Sequence, residues 1–463
     1  MGKANSNKIV LINTLSTVIL YAITFFSSPI FSRMLGTENY GVVQVYNTWN
    51  SFFSIIVGLM TRSILPMAKV KYPNEEIEKV QSSVLFLSLV SFSVISLLFT
   101  VLKPVVVPFL GFGPQFLGVL LLHSFGTYCV LFINAKFTYE MKALNNLIIS
   151  VTMALSTFGL SYLLVRLCDA DNLYAGRILG MAIPYILAGG IVLAYIFHKG
   201  RTFYNYEYWR FALPLCIPLI FHSISAIILS SSDRIMVQKM VGMSAVGIYA
   251  LAYNFANIMD SIWVSLNNSW MPFMVEYIKQ KQFSELKKRS QNYIRLFSCL
   301  VVGFILLTPE VFHIFAAQEY WEGAIIIPVV VMSQFAIFVY AFASNYEFCF
   351  MRTDFVAIGS VIAGVSNIIM NFLLIKVWGY FGAAVATLLS NIILVICHVW
   401  FARRLAKENW IYTAKMFMMP IVGIMVAVLL YYLCYNLWIL RWSVGALVGV
   451  YMIKSIYDQK SIF

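Results

Sequence analysis

Apolar runs of about 18 to 28 residues follow one another along the whole chain, each long enough to cross a hydrocarbon core of about 30 Å as a helix. Backbone in lipid must satisfy its own N–H and C=O groups, which a helix does within the segment. Of 463 residues, 61% are hydrophobic and 11% charged, where soluble proteins carry about 25% charged residues. A soluble fold of this composition would have no polar coat. The chain therefore reads as an all-α polytopic membrane protein. Its first apolar run is too long for a signal peptide and no small-residue cleavage site follows it, so it is expected to stay as the first span.

About fourteen spans are expected, beginning at 9–33 and 41–66, with the seventh and eighth at 211–232 and 245–274 and the last two at 415–434 and 437–453. The formal charge of +13 would suggest nucleic acid in a soluble chain. Here the basic residues gather in loops, as they do in cytoplasmic loops of membrane proteins, and no nucleic-acid partner is expected. With the N-terminus in the cytoplasm, 23 of the 32 Lys and Arg lie on the cytoplasmic side, eight on the other, and Arg62 within a span. The basic loops are "HKGRTFYNYEYWR" (198–210), "KQKQFSELKKRSQN" (279–292) and "FARRLAKENW" (401–410). Both termini are therefore expected in the cytoplasm. The seven cysteines are scattered and none has CxxC spacing, so neither a disulfide framework nor a metal site is indicated.

One short loop is written twice. "SRMLGTENYGVVQVYN" places Met34, Gly36 and Gly41 where "DRIMVQKMVGMSAVGIYALAYN" places Met240, Gly242 and Gly247, an offset of 206. At the same offset Pro66 matches Pro272, and Tyr174 and Gly176 match Tyr380 and Gly382. Six spans separate the copies, an even number, so both halves enter the membrane in the same direction. The expected organisation is two parallel six-helix halves, 1–205 and 206–404, followed by an additional helix pair, 405–463. In transporters built this way the substrate site lies between the halves, which rock about it.

Three stretches resemble the Wzx-type polysaccharide flippases of the multidrug/oligosaccharidyl-lipid/polysaccharide exporter superfamily. They are "SPIFSRMLGTENYGVVQVYNTW", "LPLCIPLIFHSISAIILSSSDRIMVQKMVGMSAVGIYALAYN" and "FAAQEYWEGAIIIPVVV" (315–331). The resemblance extends over essentially the whole chain and is most specific in the second stretch. It implies movement of undecaprenyl-pyrophosphate-linked sugar repeat units from the inner to the outer leaflet of the bacterial cytoplasmic membrane. A polymerase, a potential partner, would then build capsule, O-antigen or another exopolysaccharide.

Charges inside spans are costly and usually face a cavity or a partner. Arg62, four residues before Pro66, either pairs with a pyrophosphate, for which its planar fork of donors is suited, or snorkels to the interface. Asn254, Asn257 and Asp260 share a polar stripe in span 8, which either lines a cavity, with Asp260 binding a coupling proton or sodium ion, or holds helices together. Gln44, Asn47 and Asn50 form a matching stripe in span 2. Arg33 and Arg234 end spans on the outer side, where each either receives the pyrophosphate after flipping or anchors a helix end; Lys136 and Glu140 are placed to pair at i, i+4. Asp260 is the only acid expected in a span interior.

There is no GxxxxGK[ST] P-loop and no HExxH among the five histidines, so no cofactor and no enzymatic site are expected. Two alternatives share the architecture: a cation-coupled multidrug exporter, expected to hold more acids within its spans, and a lipid II flippase. A membrane-embedded glycosyltransferase or polymerase is the reading from another class.

Overall fold

A computed structural model describes residues 3–350 and 352–459. Among these residues there is no strand. The chain runs as α1 (Lys3–Gly58), a 3-10 turn (Thr61–Ile64), α2 (Leu65–Lys71), α3 (Ile77–Val101), α4 (Lys103–Leu110), α5 (Phe116–Tyr139), α6 (Ala143–Leu167), α7 (Leu173–Gly200) and α8 (Tyr206–Met240). It continues as α9 (Met243–Ala256), α10 (Ile258–Lys279), α11 (Phe283–Phe315), a 3-10 segment (Gln318–Ile326), α12 (Ile327–Cys349), α13 (Thr353–Ala406), α14 (Ala414–Leu433) and α15 (Trp438–Gln459).

Among the described residues ten helices are long and apolar enough to cross a membrane, and Phe25–Gly58 with Thr61–Lys71, bent by 56°, passes the same test when taken together. Two of the longest elements are double. Gly36 (φ 70°, ψ 172°) divides α1 and Gly379 (φ 56°, ψ −142°) divides α13, each at a backbone angle that disfavours any residue with a Cβ. With those divisions made and α9–α10 taken as one broken pass, the expected fourteen passes are accounted for. This is a multi-pass membrane protein.

The helices group into two compact units: residues 1–238 with 242–247, and residues 239–241 with 248–463. In the first, α5 is the central helix, apolar on nearly every face and buried along most of its length, as a helix without a polar side must be. Phe125, Tyr128, Cys129, Phe132 and Ile133 of α5 form its core with Val84 and Leu85 of α3 and Ile196 of α7. In the second unit Gln318–Cys349 is the most buried of the segments long and apolar enough to cross a membrane. An aromatic cluster fills its interior: the rings of Trp270 and Tyr293 lie tilted at 5.2 Å, and Phe338 and Phe342 close on Tyr293 at 5.0 and 5.6 Å. The helix pair α14–α15 is fastened to α11 through the fully buried Arg441, which donates to the Glu310 carboxylate and to the Leu306 carbonyl at 2.8 Å.

The unit boundary falls near residue 240 rather than at 205, where the second sequence copy begins. The start of α8 packs on α3: Tyr208 donates to the Glu76 carboxylate at 3.3 Å, Trp209 Nε1 donates to the Ser83 carbonyl at 3.1 Å, and Ala212 and Cys216 are fully buried. The repeated loop has a structural reason. A Cβ on Gly41 would lie 2.1 Å from the Met243 carbonyl oxygen, and a Cβ on Gly247 would lie 2.0 Å from that of Thr37. Thr37 and Met243 are themselves 206 apart, so each copy supplies the glycine that the other copy's backbone approaches, all within the first unit. Ser244 adds a hydrogen bond to the Thr37 hydroxyl at 2.7 Å.

Candidate functional site

Span 2 does not run through to Pro66 as one helix. It stops at Gly58, and Leu59 (φ 49°) and Met60 (φ 54°) both take left-handed backbone that costs a non-glycine residue about 1–2 kcal/mol. The break leaves carbonyls without their helical partners, and side chains of α3 take them up. Ser88 donates to the Gly58 carbonyl at 3.0 Å and Ser91 to that of Ile56 at 3.3 Å. Thr61, the first residue of the 3-10 turn, is fully buried and hydrogen-bonded to the Ser88 hydroxyl at 2.8 Å and to the Tyr128 hydroxyl. Strain held in place by a hydrogen-bonded cluster is found where geometry serves a function.

Arg62 is the next residue, so it belongs to a tight 3-10 turn after a helix break and not to a helix interior. It is half-buried, and its guanidinium has no side-chain hydrogen bond or ion pair among the described residues. Such a group presents its donors to whatever enters beside it.

The polar stripe on span 2 is only partly a stripe. A step of three residues falls short of a helical turn by about 60°, so Asn50 is rotated about 120° from Gln44. Asn50 is turned into the first unit, where it donates to Thr127 at 3.3 Å and accepts from Ser124 at 2.9 Å, both on α5. Gln44 and Asn47 are half-buried with no side-chain hydrogen bond among the described residues. Arg33 is exposed. Arg234 is buried, its backbone N–H donating to the Asp233 carboxylate at 2.8 Å and its guanidinium to the Ser230 carbonyl at 3.4 Å. A buried arginine tied to its own helix is a structural group first.

In the second unit the chain breaks again, at Asn257 between α9 and α10, but mildly: φ is −65° and ψ −5°. Asn257 accepts from Gln334 of α12 at 2.9 Å, and Asn254 is half-buried. Asp260 lies in the first turn of α10, where a negative charge is favoured by the helix dipole, and has no ion pair or side-chain hydrogen bond among the described residues. Of the residues singled out in the sequence, Arg33, Gln44, Asn47, Asn50, Arg62 and Arg234 thus belong to the first unit and Asn254, Asn257 and Asp260 to the second.

The expectation that Asp260 is the only acid inside a span is overturned. Glu310 lies within α11 and is neutralised by Arg441, and Glu347 at the end of α12 is fully buried against His398. Both partners are distant in sequence, so no local spacing announced them. The buried Tyr46–His123 hydrogen bond, at 3.1 Å, was missed for the same reason. Lys136 and Glu140 do pair, at 2.6 Å, and Lys136 also donates to Gln81 at 2.6 Å. Burial pushes the Glu140 carboxyl up, but Lys136 and Lys142 outweigh it and hold it below the usual carboxylate range.

Residues 7–278 match the model of the family described as "Polysaccharide biosynthesis protein". The chain belongs to that family. Among curated proteins, this family member is 23% identical over 376 residues to an uncharacterized membrane protein of Haemophilus influenzae, covering 78% of this chain and 88% of the relative. It is 21% identical over 266 residues to the Lsg locus putative protein 1 of the same species, covering 56% and 63%. Among solved structures it superposes on the lipid II flippase MurJ in an inward closed conformation with a TM-score of 0.72 at 16% identity, over 97% of this chain and 99% of that one. An inward-facing multidrug resistance MATE transporter follows at 0.62 and 13% identity, over 86% and 98%. The fold is that of the MATE and MurJ transporters.

Proposed function

We propose that the protein is a flippase that carries undecaprenyl-pyrophosphate-linked oligosaccharide units from the inner to the outer leaflet of a bacterial cytoplasmic membrane by alternating access. Both termini lie in the cytoplasm, and the units serve assembly of capsule, O-antigen or another exopolysaccharide. The observation that supports the reading is Arg62: a half-buried guanidinium without a partner among the described residues, set on a strained break that three hydroxyl side chains hold in place. A pyrophosphate offers the oxygens that such a fork binds in bidentate fashion. Gln44 and Asn47, whose side-chain amides have no partner among the described residues, are suited to sugar hydroxyls. Arg33 and Arg234 are proposed to meet the headgroup on its way out, and Asp260 to bind a coupling ion. Membership of a polysaccharide biosynthesis family supports a sugar-bearing substrate, and the MurJ-like fold supports a lipid-linked one.

The likeness to MurJ also favours lipid II itself as a second reading. Purified protein in liposomes, loaded on one leaflet with a short undecaprenyl-pyrophosphate-linked sugar, separates these. Appearance of the sugar on the other leaflet above protein-free liposomes is the expected result, and faster movement of lipid II than of any other sugar carrier would replace the first reading with the second. Sugar transfer to an acceptor in the same vesicles would mark a glycosyltransferase instead, and export of cationic drugs alone a multidrug exporter.

A further inference from the structure

The additional helix pair does not pack on itself. α14 and α15 are joined through residues 434–437, and helices joined so closely ordinarily lie side by side as a hairpin. Here each packs along α11 instead, and the two barely touch one another. One end is clamped by Arg441. Its Nε donates to the Cys434 carbonyl at the end of α14 at 3.1 Å, while its other nitrogens hold the Leu306 carbonyl and the Glu310 carboxylate of α11. Away from that clamp the diverging pair leaves a groove of about 540 Å³ with α11 as its floor.

The groove has two unlike ends. Leu306, Leu430 and Val444 line the clamped one, and Gln291, Arg295 and Lys415 the open one. From Arg295 to Leu306 the chain climbs eleven helical residues, about 16 Å, which is close to half of a hydrocarbon core about 30 Å thick. The groove is therefore about one leaflet deep. Its walls are apolar, and Gly423 keeps one of them open: a Cβ there would meet nothing within 4 Å. At the mouth Lys415 is exposed and has no hydrogen bond or ion pair among the described residues. Arg295 is exposed too, its described hydrogen bond being to the Ser455 hydroxyl at 3.4 Å. The described residues that line the groove include no carboxylate.

Two cations at the mouth of an apolar groove one leaflet deep fit an amphiphile with an anionic head and chains of leaflet length. A free phosphate would leave the apolar walls uncovered. An extended undecaprenyl tail outruns the clamped end. A zwitterionic head would bring a cation of its own to Arg295 and Lys415. Basic pockets between membrane helices are where anionic lipid heads bind.

We infer that the groove between α14 and α15 is a binding site for one anionic glycerophospholipid, its phosphate held by Arg295 and Lys415 and its acyl chains laid on α11 past Gly423. The lipid fills the space that the pair leaves and so fastens the pair to the second unit along its length, where Arg441 fastens one end alone. The site does not depend on the flippase reading. Only the naming of its leaflet as the cytoplasmic one rests on the topology proposed above.

The test is native mass spectrometry of the purified full chain titrated with phosphatidylglycerol and, in parallel, with phosphatidylethanolamine. The wild type is expected to keep one phosphatidylglycerol at least tenfold more tightly than phosphatidylethanolamine. Arg295→Gln/Lys415→Gln should lose that preference, because a charge-assisted contact to phosphate is gone. Gly423→Leu keeps both cations and should weaken retention by plugging the groove, whereas Gly423→Ala, for which there is room, should bind as the wild type does. Lys79→Gln/Arg210→Gln removes two exposed cations of the first unit and should change nothing.

Equal retention of the two lipids by the wild type overturns the proposal, as does an equal loss in the first-unit control, which would reduce the effect to net charge. Unaltered binding by folded Gly423→Leu would move the lipid out of the groove. Displacement of phosphatidylglycerol by an undecaprenyl-pyrophosphate-linked sugar, with Gly423→Leu weakening that carrier equally, would give the groove to the carrier's tail and overturn the proposal as well.

Discussion

The two helix breaks make an instructive pair. After Gly58 the chain takes two consecutive left-handed residues, and a cluster of Thr61, Ser88 and Tyr128 holds them there. At Asn257 the backbone stays near helical values and one hydrogen bond donated by the Gln334 side-chain amide suffices. The strained break presents a cation, Arg62; the relaxed one presents an acid, Asp260. They are also not equivalent in the repeat, since 206 residues after Leu59 the chain is inside α10. Two stretches that share a loop sequence thus differ in the charge that follows each helix break. We read this as a division of labour, with the first unit holding an anionic headgroup and the second answering to cations.

The sharpest test of that division removes each charge in turn. Arg62→Ala should lower flipping of the lipid-linked sugar by about tenfold or more, the worth of a charge-assisted bidentate contact, and Arg62→Lys should restore part of it. Full activity in both would remove Arg62 from the site. Asp260→Asn should leave sugar-lipid binding intact and weaken the dependence of flipping on pH or sodium. An unchanged ion profile would end its coupling role, and lost binding would make the two breaks alike.

Smaller effects concern the backbone. Met60 is buried, so its strain is read with the truncation held constant: Met60→Gly should be more stable than Met60→Ala by about 1 kcal/mol in thermal unfolding, because φ is 54° there. At Asn257, with φ −65°, the glycine variant should be less stable than the alanine variant by about 0.5–1 kcal/mol. The same order at both positions would show that the strain at Met60 is absent in solution. The smallest effect lies outside the spans, at Glu140. Its carboxyl is held low by Lys136 and Lys142, so it contributes stability above the ordinary carboxylate range and loses it as pH falls through the lower folded value. Lys136→Met should therefore lower the unfolding midpoint at pH 7 and flatten its decline between about pH 5 and 3. A decline as steep as in the wild type would assign the acid sensitivity to other groups.

Much of the architecture was legible because its signals are local. Each span is a contiguous apolar run, and lipid permits little but a helix there. The repeated glycines at 41 and 247 could be seen as a pair by counting, although only the structure shows that each receives the other copy's carbonyl. The Lys136–Glu140 pair was equally readable, being one helical turn apart. The unit boundary was not, because packing of Tyr208 and Trp209 on α3 depends on contacts more than 120 residues away.

Sequence alone therefore determined that this is a many-helix membrane protein, raised a doubled six-span plan, and drew attention to Arg62 and Asp260. Tertiary structure alone decided the environment of each charge. It set Arg62 on a strained turn without a partner among the described residues, turned Asn50 inward to α5, buried Arg234, and joined Glu347 to His398 across 51 residues. The physical reason is that crossing a membrane is a property of one segment and its solvent, whereas the cost of a charge depends on whatever other segments bring to it.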